Sequence, residues 1–345
     1  MLAKKKSLSS TITAASTGAV SAASSKKDAV IVVDPISTGA NVADAFRRSG
    51  LEVVVVKSTT QFELSQDPSL RSVETICFGH RSRSLRGLTS RSRSLFRTDY
   101  FSTHLFSSLS PLVTVLELQS LLTLNLVGVV VGSELGIECG DYLAEALKLP
   151  GNGTKGSDAR RDKYLMQEAI RAKGIKAAKQ GKASTWSEVE SAVAEMEYPL
   201  IIKPVRSAGS DHIFKCHSFD DVRPAFDAIM TDSNALGEKN EAVVIQEFLA
   251  GTEYIVDSVS RDGVHKIVAI WEYDKRSHAG KEFVYFGMGS VSGKSEAGRQ
   301  LAAYTLEVLD AIGIKEGAGH AEVIITKDGP CLVEIGARPQ GCDGQ

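Results

Sequence analysis

Two apolar segments near the end of the chain each carry one glutamate, and the pair Asp328-Gly329 stands between them. An Asp-Gly pair flanked by apolar runs predicts a β-hairpin, which places Glu322 and Glu334 on neighbouring strands. Arg338 follows four residues after the second glutamate. A carboxylate among apolar neighbours is costly unless a cation meets it. The pattern therefore predicts carboxylates that hold a divalent metal beside an arginine that grips an anion. The alternative is two glutamates on a solvent-facing side of the hairpin.

The composition is that of a soluble globular protein with two or three domains. The chain has 345 residues, 43% hydrophobic and 24% charged, and a net charge of -2. This balance predicts no general attraction to nucleic acid or membrane. The five cysteines are odd in number and include no Cys-x-x-Cys pair. They favour reduced thiols in an intracellular compartment over a disulfide scaffold or a zinc site.

Residues 1–27 are rich in serine, threonine and alanine, carry lysines at 4–6 and contain no acidic residue. This composition fits an organelle transit peptide, and it fits a disordered tail equally well. The predicted location is therefore the cytoplasm, or a plastid or mitochondrion if the segment is a transit peptide.

Residues 28–150 begin with a β-α-β pattern. Strands are predicted at 29–33, 51–56 and 126–131, with a helix from the loop at 37 and another at about 134–147. The order predicts an α/β domain with a parallel sheet. The first loop is not a Gly-x-Gly-x-x-Gly fingerprint, so it predicts no dinucleotide site.

Residues 60–125 interrupt this pattern. The string Arg-Ser-Arg-Ser-Leu occurs at 81–85 and 91–95, within an arginine-rich, acid-free stretch at 80–97. Such a tract can contact RNA phosphates. We favour a disordered insertion or wrongly assembled translated sequence. Residues 112–131 are apolar, but polar and charged residues within them argue against a membrane span.

Residues 151–345 are predicted to form an α+β domain, with the glycine-rich connector 151–156 as the boundary. Asp158 is a candidate cap of a helix through Lys173, and Thr185 with Glu188 predicts a capping box. Asp262-Gly263 predicts a hairpin of strands 253–260 and 264–271. A long helix, 295–312, precedes the two glutamate strands.

Three further segments carry chemistry. Lys203 ends an apolar strand, and small residues at 207–211 follow it, whose backbone N–H groups can wrap a phosphate. Lys163, on the preceding helix, can reach the same anion. The alternative for residues 207–211 is an ordinary hairpin loop, and the alternative for Lys163 is a lysine that is only solvated. The segment Gln246 to Glu253 can receive an adenine and ribose hydroxyls, or it can be a polar hinge between sheets.

These elements in this order resemble the ATP-grasp superfamily over about residues 126–340. The phrases at 132–136, 160–166, 207–211 and 333–339 look most like its carboxylate–amine ligase branch, which includes bacterial L-amino acid ligases and carnosine-synthase-like enzymes. The resemblance implies a pre-ATP-grasp Rossmann-like domain followed by an ATP-grasp fold. It also implies that ATP and Mg²⁺ (or Mn²⁺) are used to join a carboxylate, an amino acid in many relatives, to an amine through an acyl phosphate. Nucleic-acid and membrane partners are not expected, and homodimers are common in the family.

The resemblance also implies residue roles. Phosphates are held by Lys163 and Lys203, under a loop formed by Ser207, Ala208, Gly209 and Ser210. Adenine faces Gln246, Glu247 and the Leu249 backbone, and the ribose meets Glu253. Metal is held by Glu322 and Glu334. Arg338 stabilises the acyl phosphate. The resemblance therefore implies that Arg338 and Lys203 are the catalytic residues.

The chain departs from the family pattern in its last ten residues. Many superfamily members have asparagine two residues after the second glutamate, where this chain has Gly336. Gln340-Gly341 replaces a glycine pair of the branch, and the sequence stops at Gln345, which predicts a truncated C-terminus. The alternative function is therefore an ATP-binding protein that is catalytically impaired.

Overall fold

A computed structural model describes residues 26–58, 105–107, 124–207, 211–234, 239–278 and 281–341. The predictions for residues 1–25, for the Arg/Ser tract at 80–97, for most of the segment 60–125 and for the last four residues lie outside the described residues. The same holds for Ala208, Gly209 and Ser210 of the predicted phosphate loop.

The first part of the chain is a four-stranded parallel sheet in the order β3-β2-β1-β4. Its elements are β1 (Lys27–Val33), α1 (Thr38–Arg48), β2 (Glu52–Lys57), β3 (Leu105–Ser107), β4 (Leu124–Val131) and α2 (Ile137–Ala146). β1 is buried continuously from Ala29 to Val33 because α1 packs on one face of the sheet and α2 on the other. Burial on both faces explains why this strand reads as an unbroken apolar run. The predicted parallel α/β sheet is confirmed.

A four-stranded antiparallel sheet follows, in the order β5-β8-β6-β7. Its elements and the helix before it are α3 (Lys163–Arg171), β5 (Gln180–Ala183), α4 (Trp186–Ala194), β6 (Leu200–Pro204), β7 (Phe214–Cys216), α5 (Phe219–Thr231) and β8 (Val243–Glu247). Helices α4 and α5 cover one face of this sheet with a shared apolar core. The capping box of Thr185 and Glu188 is present, as predicted.

The cap predicted at Asp158 is wrong. The N-cap of α3 is Asp162, whose carboxylate accepts hydrogen bonds from the backbone N–H groups of Tyr164 and Leu165. Asp158 begins a short 3₁₀ helix, Asp158–Arg160, instead. The sequence holds an aspartate at both positions, and only the three-dimensional path of the chain decides which one meets free N–H groups.

The last part is a five-stranded antiparallel sheet in the order β11-β10-β9-β12-β13. Its elements are β9 (Gly251–Arg261), β10 (Val264–His278), β11 (Lys281–Ser290), α6 (Glu296–Ile312), β12 (Gly317–Thr326) and β13 (Gly329–Gly336). α6 packs its apolar side against one face of the sheet. The Asp262-Gly263 turn and the antiparallel character of this half are confirmed. The sequence did not predict β11 or the second half of β10, because charged residues and glycines there obscure the alternation.

One arginine ties the parallel-sheet part to the five-stranded part. Arg160 is 1% exposed, and its Nη2 atom lies 2.8 Å from Asp141 Oδ2 on α2. Its Nη1 atom donates to the carbonyl oxygen of Ile312, at the end of α6, at 3.1 Å. The guanidinium therefore satisfies groups from both parts within one buried contact.

Within the described residues, none of the helices combines the length and the apolar character that crossing a bilayer requires.

Candidate nucleotide and metal site

The two C-terminal glutamates stand directly opposite each other. Glu322 on β12 and Glu334 on β13 are cross-strand partners, so their side chains leave the same face of the sheet. Lys163 Nζ lies 3.1 Å from Glu334 Oε2. The hydroxyl of Tyr273 donates to Glu322 Oε1 at 3.1 Å, and Lys275 Nζ lies 3.9 Å from Glu322 Oε2. Like charges in facing positions repel, and this pair is compensated by cations and a hydroxyl donor.

Lys163 is not a solvated helix lysine. It belongs to the buried side of α3, which continues through Met166, Gln167 and Ile170 at helical spacing. The cap at Asp162 fixes the start of the helix, so Lys163 occupies its first turn. The Nζ atom donates to the carbonyl oxygen of Ser207 at 2.7 Å, where the predicted phosphate loop begins. Lys163 therefore joins the loop to Glu334.

Lys203 lies on the face of the four-stranded sheet that is turned away from α4 and α5. Ile202 belongs to the core beneath those helices, so its neighbour Lys203 points the other way. Its side chain is 3% exposed. Burial lowers the pKa of Lys203 to about 8, although Glu334, Glu322 and Glu253 favour its charged form. This lysine therefore lies in the electrostatic field of the glutamates on the other sheet.

Glu253 joins the same group of charges. It is on β9, and its Oε1 atom lies 2.6 Å from Lys275 Nζ. Burial raises the pKa of Glu253 to about 7, with Glu322 adding repulsion and Lys275 opposing the shift. The charged residues of β9, β10, β12 and β13 thus meet on one face of the five-stranded sheet.

His320 and Asp257 form a second pair beside Glu322. His320 is two residues before Glu322 on β12, and its Nδ1 atom lies 2.9 Å from Asp257 Oδ1 on β9. Its Nε2 atom is 3.8 Å from Glu322 Oε1. Burial opposes the ionisation of Glu322, but His320, Lys275 and Tyr273 together hold the pKa of that carboxyl well below its usual range.

Arg338 binds a carboxylate from the first part of the chain. Its Nε atom donates to Glu134 Oε2 at 2.9 Å. Glu134 belongs to a short 3₁₀ helix, Glu134–Gly136, that follows β4. Burial of the guanidinium opposes its charge, but Glu134, Glu334 and Glu322 together raise the pKa of Arg338 above its ordinary value. The arginine is therefore charged and faces the same glutamates as the lysines.

The predicted adenine segment has its polar side chains in local hydrogen bonds. Gln246 Nε2 donates to Gln180 Oε1 at 3.0 Å, and Glu247 Oε1 accepts from the backbone N–H of Lys179 at 2.8 Å. Leu249 follows the end of β8 in an irregular connector. Gln246 lies on the same sheet face as Lys203, since Lys203 pairs with Val244 and Gln246 is two residues after Val244 on β8. The roles of these residues toward adenine stay predictions.

Ser207 is the first residue of the predicted phosphate loop and is buried. Its hydroxyl donates to Asp211 Oδ2 at 2.8 Å, across the part of the loop outside the described residues. The loop therefore starts directly beside Lys163.

The donor set suits magnesium only when a ligand contributes to it. Among the described residues, no group of three or more histidine, cysteine or acidic side chains is arranged to hold a metal ion. Glu322 and Glu334 supply two facing carboxylates, and Mg²⁺ is commonly bound by one or two carboxylates together with substrate phosphates and water. The two glutamates therefore fit a magnesium ion that arrives with a nucleotide.

Sequence reasoning missed several members of this site. Tyr273 was available from the two-residue period of β10, had that strand been predicted to its full length. His320 shares the face of Glu322 by the same rule. Glu134 lies about 200 residues before its partner Arg338, and its sequence offers no signal of that contact beyond the family-like phrase at 132–136.

Comparison with known proteins identifies the fold. Residues 196–344 match the family described as the ATP-grasp domain. This part of the chain has the ATP-grasp fold. Dapdiamide A synthase from Enterobacter agglomerans is 37% identical over 216 residues, which is 62% of this chain and 50% of that protein. This chain spans about half the length of the first curated relatives that it matches.

Solved structures confirm the ATP-grasp fold over most of the chain. The L-amino acid ligase from Bacillus licheniformis superposes with a TM-score of 0.64 at 17% identity, covering 92% of this chain and 68% of that one. The biotin carboxylase domain of a 2-oxoglutarate carboxylase from Hydrogenobacter thermophilus, solved with MgADP, ADP and bicarbonate, gives a TM-score of 0.61 at 14% identity. It covers 90% of this chain and 64% of the other. The prediction of an α/β part followed by an ATP-grasp fold is confirmed.

Proposed function

We propose that this protein is an ATP- and Mg²⁺-dependent ligase that joins a carboxylate to an amine. The observation that carries the proposal is the facing pair Glu322 and Glu334. Lys163 forms an ion pair with Glu334, and the buried Lys203 lies in the field of both glutamates. The similarity to dapdiamide A synthase and to an amino acid ligase structure supports an amino acid as the carboxylate substrate. We also propose a homodimer, as is common in the family, which light scattering of the purified protein tests.

The charges of the site match the demands of phosphoryl transfer. A carboxylate oxygen attacks the γ-phosphorus of ATP only if the negative charge of both partners is neutralised. Lys163 and Lys203 supply positive charge toward the triphosphate. Magnesium, when bound by Glu322 and Glu334, neutralises further charge on the phosphate oxygens. The O–P bond forms as ADP leaves, which gives an acyl phosphate.

Amide formation follows from the same arrangement. The amine nitrogen attacks the acyl carbon, and inorganic phosphate leaves with the C–O bond electrons as the amine loses a proton. Arg338, charged and beside Glu334, stabilises the negative charge on the tetrahedral species. An acyl phosphate is lost to hydrolysis if water enters, so the proposed reaction requires that the intermediate be shielded from solvent.

The proposed activity predicts ADP release that depends on both substrates. Purified protein with ATP, Mg²⁺ and a mixture of the amino acids is expected to release ADP and phosphate well above the rate without amino acids. A coupled assay for phosphate, followed by single amino-acid pairs, measures this and identifies the substrates. Addition of EDTA is expected to stop release, because the triphosphate then lacks its metal.

A second function is favoured by one observation, Gly336, which supplies no metal ligand where many relatives carry asparagine. It is nucleotide binding without catalysis. Protein that binds ATP in calorimetry but releases no ADP above background with every amino-acid pair supports this function and contradicts the ligase.

A further inference from the structure

We propose that Glu134 is the positioning residue of Arg338, and that Gly336 leaves the space in which the two side chains meet. The proposal rests on the ligase function above, in which Arg338 stabilises the negative charge on the tetrahedral species. Glu134 follows β4 of the parallel sheet, whereas Arg338 follows β13 of the ATP-grasp domain. A residue outside the ATP-grasp match therefore sets the orientation of a group inside it.

The geometry makes Glu134 a bridge between two arginines. Its Oε2 atom accepts from Arg338 Nε at 2.9 Å, and its Oε1 atom lies 3.3 Å from Arg161 Nη1. The side chains of Glu134 and Arg338 are 14% and 13% exposed, so water screens this pair weakly. Burial opposes the charge of Glu134, but Arg338, Arg161 and Lys163 outweigh it and lower the pKa of Glu134. Glu134 is therefore a fixed anion.

Gly336 has no side chain where the pair needs room. A Cβ atom at this position would lie 2.9 Å from Glu134 Oε2 and 3.2 Å from Arg338 Nε. The first distance is one that real Cβ atoms essentially never show, so the carboxylate would have to shift. The space that a side chain at position 336 would enter is occupied by Glu134 and Arg338.

The pair borders the metal-binding end of the site. A small cavity is lined by Glu134, Arg161, Lys163, Glu334 and Gly336, among others. The Nε atom of Arg338 donates to Glu134, and the Nη1 atom of Arg338 donates to the carbonyl oxygen of Pro339 at 3.0 Å. Two anchors hold the guanidinium in one plane, which is the condition for it to meet a developing charge at a set position.

The decisive variant is Gly336→Ala, because it displaces the pair without removing a charge. Its kcat for ADP release is expected to fall at least about tenfold, while the KM for ATP changes less than about threefold. Gly341→Ala is the matched control, since a Cβ atom there lies 4.0 Å from Arg338 Nη1, an ordinary contact. A Gly336→Ala protein that keeps more than half of the wild-type kcat, or loses kcat and ATP affinity equally, overturns the proposal.

The Glu134→Gln variant tests the charge of the anchor. It keeps an oxygen that can accept from Arg338 but no longer balances the two arginines. As for Gly336→Ala, we expect the kcat for ADP release to fall while the KM for ATP stays close to that of the wild type. Circular dichroism and a melting curve show whether each variant is folded before kinetics are compared.

A double-mutant cycle separates this proposal from the ligase function. Melting temperatures of Glu134→Gln, Arg338→Gln and the double variant require no turnover. The double variant is expected to melt no lower than the worse single variant, since the two changes remove one contact. Additive losses overturn the pairing. A wild type that releases no ADP while the cycle shows coupling contradicts the ligase and leaves the pairing intact. A wild type that releases ADP, together with a Gly336→Ala variant of normal activity, supports the ligase and contradicts the positioning role of Glu134.

Discussion

The variant Glu334→Gln is expected to lose at least about a hundredfold in kcat while keeping its fold. Glu334 is one of two facing carboxylates, and Lys163 lies 3.1 Å from its Oε2 atom. The amide oxygen of glutamine still accepts a hydrogen bond from Lys163, so the packing of α3 against β13 is preserved. What disappears is the second negative charge that brings magnesium to the triphosphate. Phosphate release at saturating substrates and the melting temperature are the two measurements.

The matched control for this variant is Glu272→Gln. Glu272 lies in β10 of the same sheet, and it is exposed. Its cross-strand partner is Tyr254, whose side chain belongs to the apolar core under α6, on the other face of the sheet from Glu334. Its turnover is expected to equal that of the wild type. If Glu334→Gln retains more than about a tenth of wild-type turnover, the metal role of the facing pair is wrong. Equal losses in both variants point to a general effect on the sheet.

Replacing Lys203 by methionine is expected to weaken ATP binding and to stabilise the free protein. A charge-assisted hydrogen bond to phosphate is worth about 1.5–3 kcal/mol, so its loss raises the Kd for ATP roughly tenfold to a hundredfold. In the free protein the same ammonium is buried, and its lowered pKa corresponds to a cost of about 3 kcal/mol at neutral pH. Methionine fills a similar volume without that cost. Calorimetric titration with ATP and denaturant unfolding test the two halves separately.

The stability gain has a defined pH dependence. The pKa of Lys203 is about 8 in the folded protein against 10.5 in the unfolded chain. Between these values the unfolded chain binds more protons, so wild-type stability rises with pH across that window. Below pH 8 the gap between Lys203→Met and wild type is constant, and it closes towards pH 10.5. Lys266→Met, which changes an exposed lysine of β10, shows no such gap. Unchanged ATP affinity in Lys203→Met removes Lys203 from the phosphate site.

The sequence could predict the elements whose signal is local. The buried run of β1, the capping box at Thr185 and the Asp262-Gly263 turn each depend on neighbours within a few residues, and each is present. The hairpin that carries the two glutamates was predictable from its short turn, but their facing position was not. The register runs regularly from Thr326–Gly329 to Val323–Leu332, and an irregularity between Glu322 and Val323 brings Glu322 opposite Glu334. The cap prediction at Asp158 was wrong because the sequence offers two aspartates, Asp158 and Asp162, for the N-cap of α3.

The remaining site depends on contacts between distant segments. The buried position of Lys163 follows from the packing of α3 against β13, and the burial of Lys203 follows from the approach of a second sheet. Glu134 reaches Arg338 only when the parallel sheet is placed against the ATP-grasp domain. No periodicity within one segment encodes such meetings. The local pattern offered Lys203 and Lys163 as candidates for binding an anion, and the resemblance to the family gave them their expected roles.

The buried guanidinium of Arg160 determines which lobe is free to open. It fastens α2 to the end of α6, and breaking a buried ion pair of this kind typically costs about 3–5 kcal/mol. The parallel sheet and the five-stranded sheet are thereby expected to travel as a single base. We therefore expect nucleotide to enter and product to leave through a movement of the smaller lobe, β5 to β8, relative to that base. Hydrogen exchange that slows in this lobe alone when ATP is added is the expected signature.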